Sequence, residues 1–110
     1  MSDEEIKIHR GLNNVYFDRT KTTYINGKEG VLEYRGYNIH DLSEKSSFEE
    51  VSYLLLYGKL PTKNELDAFN SSLKESRKIP SQVIDIIKSI KDSHPMDVLR
   101  TAVSALSTFD

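Results

Sequence analysis

Three histidines, His9, His40 and His94, carry the side chains best suited to proton transfer in this sequence. His9 lies in a polar N-terminal arm and His40 in the short stretch NIHDLSEK, so we expect both to be ordinary solvated side chains. His94 precedes a proline at the start of an apolar stretch. A helix N-terminus there would favour the neutral imidazole, which could donate a hydrogen bond to a substrate carbonyl. The simpler interpretation, which we favour, is that His94 caps the helix.

The rest of the sequence contains no pattern typical of a reaction centre or a metal site. No H-x-x-x-H or H-E-x-x-H pair occurs, cysteine is absent, and no serine lies in a G-x-S-x-G elbow. The stretch from Gly27 to Gly30 lacks the spacing and the Lys-Ser/Thr sequel of a phosphate-binding loop. Glu49 and Glu50 lie where a helix start favours negative charge, so capping explains this pair better than acid–base chemistry. We therefore assign no catalytic, cofactor-binding or metal-binding residue.

Two basic residues lie beside turn signals. Arg35, in the stretch YRGY, could contact a phosphate or carboxylate, or could stack on tyrosine rings where the chain leaves a hairpin. We favour the structural role. Lys59 could line a groove, but Gly58 and Pro61 around it are explained by the end of a helix and a turn.

Composition describes a small globular chain. Of its 110 residues 37% are hydrophobic and 29% charged, and the formal net charge of -2 gives no reason to expect a nucleic acid partner. This length allows one modest core. We expect residues 1–10 to form a flexible arm and residues 11–110 to belong to one domain. No long apolar run or signal peptide is visible, so we expect no membrane partner and a cytoplasmic location.

The first elements form a small hairpin. Thr22 to Ile25 favour a strand, Asn26-Gly27 supplies residues that tolerate positive φ, and Val31 to Tyr34 favour a returning strand. From Asn38 onward the pattern becomes helical. The sequence therefore predicts a mainly α-helical chain, in which an N-terminal β-hairpin precedes four or five helices.

Local signals place the boundaries of the middle helices. Ser47 to Glu50 form a capping box before a helix that should run from Phe48 to Tyr57 and end at Gly58. Thr62 to Glu65 repeat the box, and Pro80 begins a further helix. The apolar faces of these two helices are Leu66, Phe69 and Leu73, and Val83, Ile86, Ile87 and Ile90.

The last helix is expected over Pro95–Phe109, with proline in the first position and Asp97 complementing the dipole. Its apolar stripe, which we expect to be core, consists of Met96, Leu99, Val103 and Leu106. The small residues Ala102, Ser104 and Ala105 beside the stripe would let another helix come close.

Four stretches, taken in order, resemble the N-terminal part of citrate synthases, particularly the archaeal and related bacterial dimeric type that includes 2-methylcitrate synthases. They are GLNNV at Gly11, TTYINGKEGVLEYRGYNIHDL at Thr22, SSFEEVSYLLLYGKLPT at Ser46 and HPMDVLRTAVSAL at His94. The resemblance implies the N-terminal part of a large helical domain. It also implies a homodimer in which the Pro95–Phe109 helix packs across the interface.

The resemblance implies an acyltransferase of the tricarboxylic acid cycle that joins acetyl-CoA to oxaloacetate and releases citrate and CoA. In that family an aspartate takes a proton from the acetyl methyl, one histidine stabilises the enol, and a second histidine polarises the oxaloacetate carbonyl. None of His9, His40 or His94 matches these positions, and we expect the catalytic groups to lie beyond this sequence.

Three hypotheses follow for the whole protein. The first is a citrate synthase of which this chain is an N-terminal fragment, inactive by itself and binding no cofactor. The second replaces acetyl-CoA with propionyl-CoA, giving a 2-methylcitrate synthase, and the sequence does not separate these donors. The third is a non-catalytic helical module that docks on a synthase through the stripe on the last helix. We also expect the chain to fold poorly or to self-associate when isolated, since an interface helix lacks its partners.

Overall fold

The computed structural model describes residues 5–110, and their contacts group into two compact units. The first unit ends at Thr62 and contains a small antiparallel sheet and two helices. The second begins at Lys63 and contains three helices. The prediction of a mainly α-helical chain with a small N-terminal sheet is confirmed, and the described residues form five α-helices. The predicted arm at residues 1–10 lies partly outside the described residues.

The sheet has one strand more than predicted. Strands β1 (Thr23–Asn26), β2 (Val31–Tyr34) and β3 (Tyr37–Asn38) pair antiparallel in that order. Asn26 pairs with Val31 at one end of the first ladder. The third strand follows a turn of only two residues, so the predicted hairpin is the first half of a three-stranded meander.

The turn between β1 and β2 is built by the Asn26 side chain. Its Oδ1 accepts hydrogen bonds from the backbone N–H groups of Lys28 and Glu29, at 3.2 and 3.3 Å. The residue with positive φ is Gly30, at 69°, whereas Gly27 lies outside the left-handed region. Asn26 and Gly27, which tolerate positive φ, do not adopt it here, because the four-residue connection makes its sharp bend at its last residue.

The turn between β2 and β3 places a charged residue in an unusual conformation. Arg35 and Gly36 have φ of 49° and 87°, the signs of a primed turn that usually takes Asn or Gly. The Arg35 guanidinium donates from Nε and Nη2 to the carbonyl oxygen of Leu55, at 3.3 and 3.0 Å. Arg35 therefore joins the tip of the sheet to the helix that contains Leu55.

The helices of the first unit begin and end at capping residues. Helix α1 (Ile39–Lys45) begins after Asn38, whose side chain accepts from the His40 N–H. Helix α2 (Phe48–Tyr57) has the predicted bounds, begins after Ser47 and ends at Gly58 with φ of 79°. Each helix contributes one buried side chain, namely Leu42 and Leu54.

The predicted capping box of α2 is present with one difference. The Ser47 hydroxyl accepts from the Glu50 N–H at 3.2 Å, as expected. The Glu50 carboxylate accepts from that same hydroxyl at 3.3 Å, instead of from the Ser47 N–H. The Ser47 hydroxyl therefore takes part in both hydrogen bonds, as the acceptor for the Glu50 N–H and as the donor to the Glu50 carboxylate.

The second unit contains α3 (Lys63–Glu75), α4 (Ser81–Ser89) and α5 (Pro95–Leu106), and a 3₁₀ turn extends α5 over Ser107–Phe109. Helix α4 packs against α5, and Val83 and Ala102 are the buried side chains that they contribute. The predicted inner positions of α3 and α4 are all shielded from solvent at least in part; they are Leu66, Phe69, Leu73, Val83, Ile86, Ile87 and Ile90. No helix within residues 5–110 is long and apolar enough to cross a membrane.

His94 caps α5, as we expected from the sequence. Its Nδ1 accepts a hydrogen bond from the Met96 N–H at 3.2 Å, and Pro95 occupies the first helical position. In the first turn, Asp97 accepts a hydrogen bond from Arg100 at 3.0 Å. A neutral imidazole that accepts at Nδ1 must carry its proton on Nε2.

The Arg35 guanidinium should stabilise the first unit. Replacing Arg35→Asn keeps a residue that tolerates positive φ and removes both donors to Leu55, so unfolding should become easier by about 1.5 kcal/mol. Urea unfolding and hydrogen exchange at the Gly58 amide measure the loss. The matched control is Arg77→Asn at an exposed arginine, which should change neither quantity. Equal stability of Arg35→Asn and wild type would contradict this role.

The cap at His94 predicts a graded response to substitution. His94→Ala removes the acceptor for the Met96 N–H and should lower the free energy of unfolding by about 1 kcal/mol, whereas His94→Asn supplies another cap acceptor and should restore most of it. Thermal unfolding of the three proteins measures this order. A loss of the same size in both variants would show that the imidazole contributes something other than the cap.

Candidate functional site

Each of the three histidines lies on an exposed part of its own unit. His9 and His40 are exposed in the first unit, and His94 is exposed at the cap of α5. Within residues 5–110, no group of three histidine, aspartate or glutamate side chains could hold a metal ion. The assignment of no catalytic, cofactor-binding or metal-binding residue remains a prediction.

The charged residues considered as ligand contacts have structural partners. The Arg35 guanidinium is directed to the C-terminal end of α2, and α2 has no basic residue of its own in its last turn. The positive charge therefore complements the negative end of the helix dipole, and the guanidinium donates to a carbonyl of the last turn. Glu50 is part of the capping box, and Glu49 lies beside it in the first turn. Lys59 is exposed just beyond α2, and its role in a groove stays a prediction.

The feature best suited to a function is the outer face of α5. Its side chains were predicted to be core, but all four are exposed: Met96 by 62%, Leu99 by 55%, Val103 by 59% and Leu106 by 38%. The core prediction for this stripe was therefore wrong for the described residues. We call these four residues the outer stripe.

The inner face of α5 consists of smaller residues. Val98 and Ala105 are half-buried and Ala102 is buried, at the spacing i, i+4 and i+7 of one helix face. At 3.6 residues per turn this face lies about 120° around the helix from the outer stripe. Small side chains let α4 approach closely, so α5 packs within its unit through the face with less apolar surface.

The sequence did contain the signal for this arrangement. Ala102 and Ala105 were recognised as small residues that admit a neighbouring helix, and that neighbour is α4. Val98, which completes the inner face, was missed. A stripe of larger residues predicts burial only when the chain supplies a second element to cover it, and periodicity alone does not show which of two apolar faces is covered.

The outer stripe is chemically suited to protein association. It presents aliphatic and thioether side chains, and the exposed Arg100–Asp97 ion pair lies beside it on the same helix. Exposed apolar side chains that lie together on one helix are typical of helix-on-helix interfaces. It offers neither the basic residues that bind nucleic acid nor the titratable groups of a reaction centre.

Comparison with known proteins identifies the family. The family model described as "Citrate synthase, C-terminal domain" matches residues 11–110. A citrate synthase of Deinococcus radiodurans is 49% identical over 94% of this chain, and the 2-methylcitrate synthase 1 of Corynebacterium glutamicum is 45% identical over 100% of it. The matches cover 28% and 29% of those two relatives.

The solved structures that superpose on this chain are also citrate synthases. The crystal structure of citrate synthase from Pyrobaculum aerophilum superposes with a TM-score of 0.85 at 41% identity, covering 94% of this chain and 25% of that one. A citrate synthase from Thermoplasma acidophilum, solved as a ternary complex with carboxymethyl coenzyme A and oxaloacetate, superposes with a TM-score of 0.81 at 34% identity, covering 94% of this chain and 28% of that one. The chain thus spans between 19% and 29% of the length of the relatives that it matches, and its place in the N-terminal part of the enzyme stays a prediction. The chain belongs to the citrate synthase family.

Proposed function

We propose that this chain is part of an enzyme that condenses acetyl-CoA with oxaloacetate and water to give citrate and CoA. The observation that carries the proposal is the match to a citrate synthase of known structure, with a TM-score of 0.85 over 94% of the chain. An identity of 49% to the Deinococcus radiodurans citrate synthase supports the same activity. The reaction is an acyl transfer, and it belongs to the tricarboxylic acid cycle.

The acyl donor has a second candidate. The 2-methylcitrate synthase 1 of Corynebacterium glutamicum is 45% identical to the chain, close to the value for the Deinococcus radiodurans citrate synthase. Propionyl-CoA differs from acetyl-CoA by one methylene, and a pocket that distinguishes them by that group alone discriminates by about 10- to 200-fold. The residues that shape this pocket are not assigned in the chain. A comparison of kcat/KM for acetyl-CoA and propionyl-CoA is therefore needed to identify the donor.

In this proposal the chain supplies scaffold and interface, while the reacting groups lie elsewhere in the enzyme. Carbon–carbon bond formation requires a base at the acetyl methyl, donors at the enol and carbonyl oxygens, and cations for the oxaloacetate carboxylates, all around one substrate. Within residues 5–110 the histidines are solvent-exposed, and Arg35 is engaged with a helix carbonyl. We therefore infer that the 110-residue chain is inactive by itself.

The release of free CoA thiol from acetyl-CoA and oxaloacetate tests this inference. The isolated 110 residues should give no turnover above a boiled sample, and the full polypeptide that carries this sequence should turn over. Propionyl-CoA in place of acetyl-CoA then distinguishes the two donors by the ratio of kcat/KM values. Thiol release by the isolated chain above the boiled control would refute the inactivity, and an inactive full polypeptide would refute the proposed reaction.

The proposed enzyme is a homodimer that uses the outer stripe of α5. Four apolar side chains of this helix are exposed within the described residues, and a facing helix of a second subunit would remove them from water. At about 25 cal/mol per Å² of buried apolar surface, even part of this stripe supplies several kcal/mol to association. The alternative occupant is a full-length synthase to which the chain docks as a separate module.

A charge in the outer stripe should break the dimer. Leu99→Asp would bury an unpaired carboxylate in the proposed interface. In analytical ultracentrifugation the proposed enzyme should therefore shift from dimer to monomer. Ser104→Asp is the matched control, because Ser104 is exposed on the same helix about 120° away from the stripe and should leave the dimer intact. Dimerisation that is unchanged by Leu99→Asp would contradict the interface.

The predicted cytoplasmic location remains part of the proposal. Relatives of similar identity carry names that place them in different compartments, including "Citrate synthase 1, peroxisomal" of Arabidopsis thaliana at 45% and "Citrate synthase, glyoxysomal" of Cucurbita maxima at 40%. Localisation is therefore not a property of the shared fold. A fluorescent fusion of the full polypeptide would show the compartment directly.

A further inference from the structure

The turn between β1 and β2 combines two features that favour attack of a backbone nitrogen on the preceding asparagine side chain. Asn26 Oδ1 accepts hydrogen bonds from two backbone N–H groups, those of Lys28 and Glu29, at 3.2 and 3.3 Å. Donors at a carbonyl oxygen withdraw electron density from its carbon, and they stabilise negative charge that forms on the oxygen during nucleophilic attack. The Asn26 Cγ is therefore an activated electrophile in the folded protein.

The adjacent nucleophile is the backbone nitrogen of Gly27. Gly27 is exposed, and within the described residues its N–H donates no hydrogen bond. A solvent-accessible, unpaired amide loses its proton to hydroxide more readily than an amide held in a ladder. Gly27 also has no side chain that could hinder attack by its nitrogen, and even an added Cβ would meet no atom within 4 Å apart from its chain neighbours.

We propose that Asn26-Gly27 is a site of spontaneous succinimide formation and deamidation in the folded protein. The Gly27 nitrogen, once deprotonated, attacks the Asn26 Cγ and forms a C–N bond. The bond from Cγ to the side-chain nitrogen breaks, and ammonia leaves with the proton. Water then hydrolyses either carbonyl of the ring, giving aspartate or isoaspartate at position 26. No oxidant, reductant or enzyme is required.

The product changes the sheet. Asn26 pairs with Val31 at the end of the ladder between β1 and β2. Isoaspartate inserts an extra methylene into the backbone at that pair and moves the chain direction out of register with β2. Either product adds one negative charge to a chain whose formal net charge is -2. Because the reaction is spontaneous, the modified fraction at this hairpin should increase with the age of the protein.

The chain contains a matched internal control. Asn38 also accepts a backbone hydrogen bond at Oδ1, from the His40 N–H at 2.9 Å. The residue after it is Ile39, whose β-branched side chain hinders attack by its own nitrogen. Asn26 and Asn38 thus share an Asx hydrogen bond and differ in the following residue.

The experiment follows deamidation of the full polypeptide that carries this sequence during incubation in mildly alkaline buffer. Trypsin releases Asn26 in the peptide Thr22–Lys28 and Asn38 in Gly36–Lys45, and mass spectrometry separates the acid from the amide in each. A sample digested at time zero corrects for conversion during digestion. We expect Asn26 to convert at least about tenfold faster than Asn38, a barrier difference of about 1.4 kcal/mol.

Gly27→Ala separates ring closure from direct hydrolysis. Gly27 does not have positive φ and an added Cβ would meet no atom within 4 Å, so the variant should keep the turn and slow deamidation at Asn26. Equal rates at Asn26 and Asn38, or no effect of Gly27→Ala, would overturn the proposal. It would also be overturned if the folded chain converted more than about tenfold slower than the synthetic peptide Thr22–Lys28, because the turn would then protect the site.

Discussion

Four apolar side chains within residues 5–110 are almost inaccessible to water: Leu42, Leu54, Val83 and Ala102. A chain that buries so few side chains gains little stability from its interior, since each large apolar group contributes about 1.5 to 3 kcal/mol when fully buried. The helices and strands therefore depend heavily on local hydrogen bonds at their ends. This scarcity of burial within the chain is the constraint under which the rest of the structure is built.

The capping interactions meet that constraint in the first unit. Asn38 and Ser47 satisfy N–H groups at the starts of α1 and α2, and Gly58 ends α2 in the left-handed conformation. Arg35 then connects two elements that these local interactions leave independent. Its guanidinium satisfies a carbonyl at the end of α2 although the residue lies 20 positions earlier in the chain. The unusual backbone conformation of Arg35 is consistent with this role, because the tight turn holds the side chain at the tip of the sheet.

Features specified by adjacent residues were predictable from the sequence, and features specified by distant partners were not. The bounds of α2, the cap at His94 and the inner face of α4 follow from capping residues and periodicity, which are local. The third strand was missed because arginine at a position of positive φ does not signal a primed turn. Its partner, the Leu55 carbonyl, becomes visible only when the chain is folded. The family resemblance was predictable because it depends on four stretches in order, not on a single residue.

Helix α5 shows why burial within a chain and burial within an assembly must be separated. Its two apolar faces have different side chains: the inner face is small enough for close approach of α4, and the outer stripe offers larger groups. A monomeric protein of this size would gain by burying the larger face first, because stabilisation scales with apolar area. The reverse arrangement means that the larger area remains available for a partner of similar shape. In the proposed dimer a helix of a second subunit would satisfy that requirement, and the sequence pattern that suggested a core would describe the interior of that dimer.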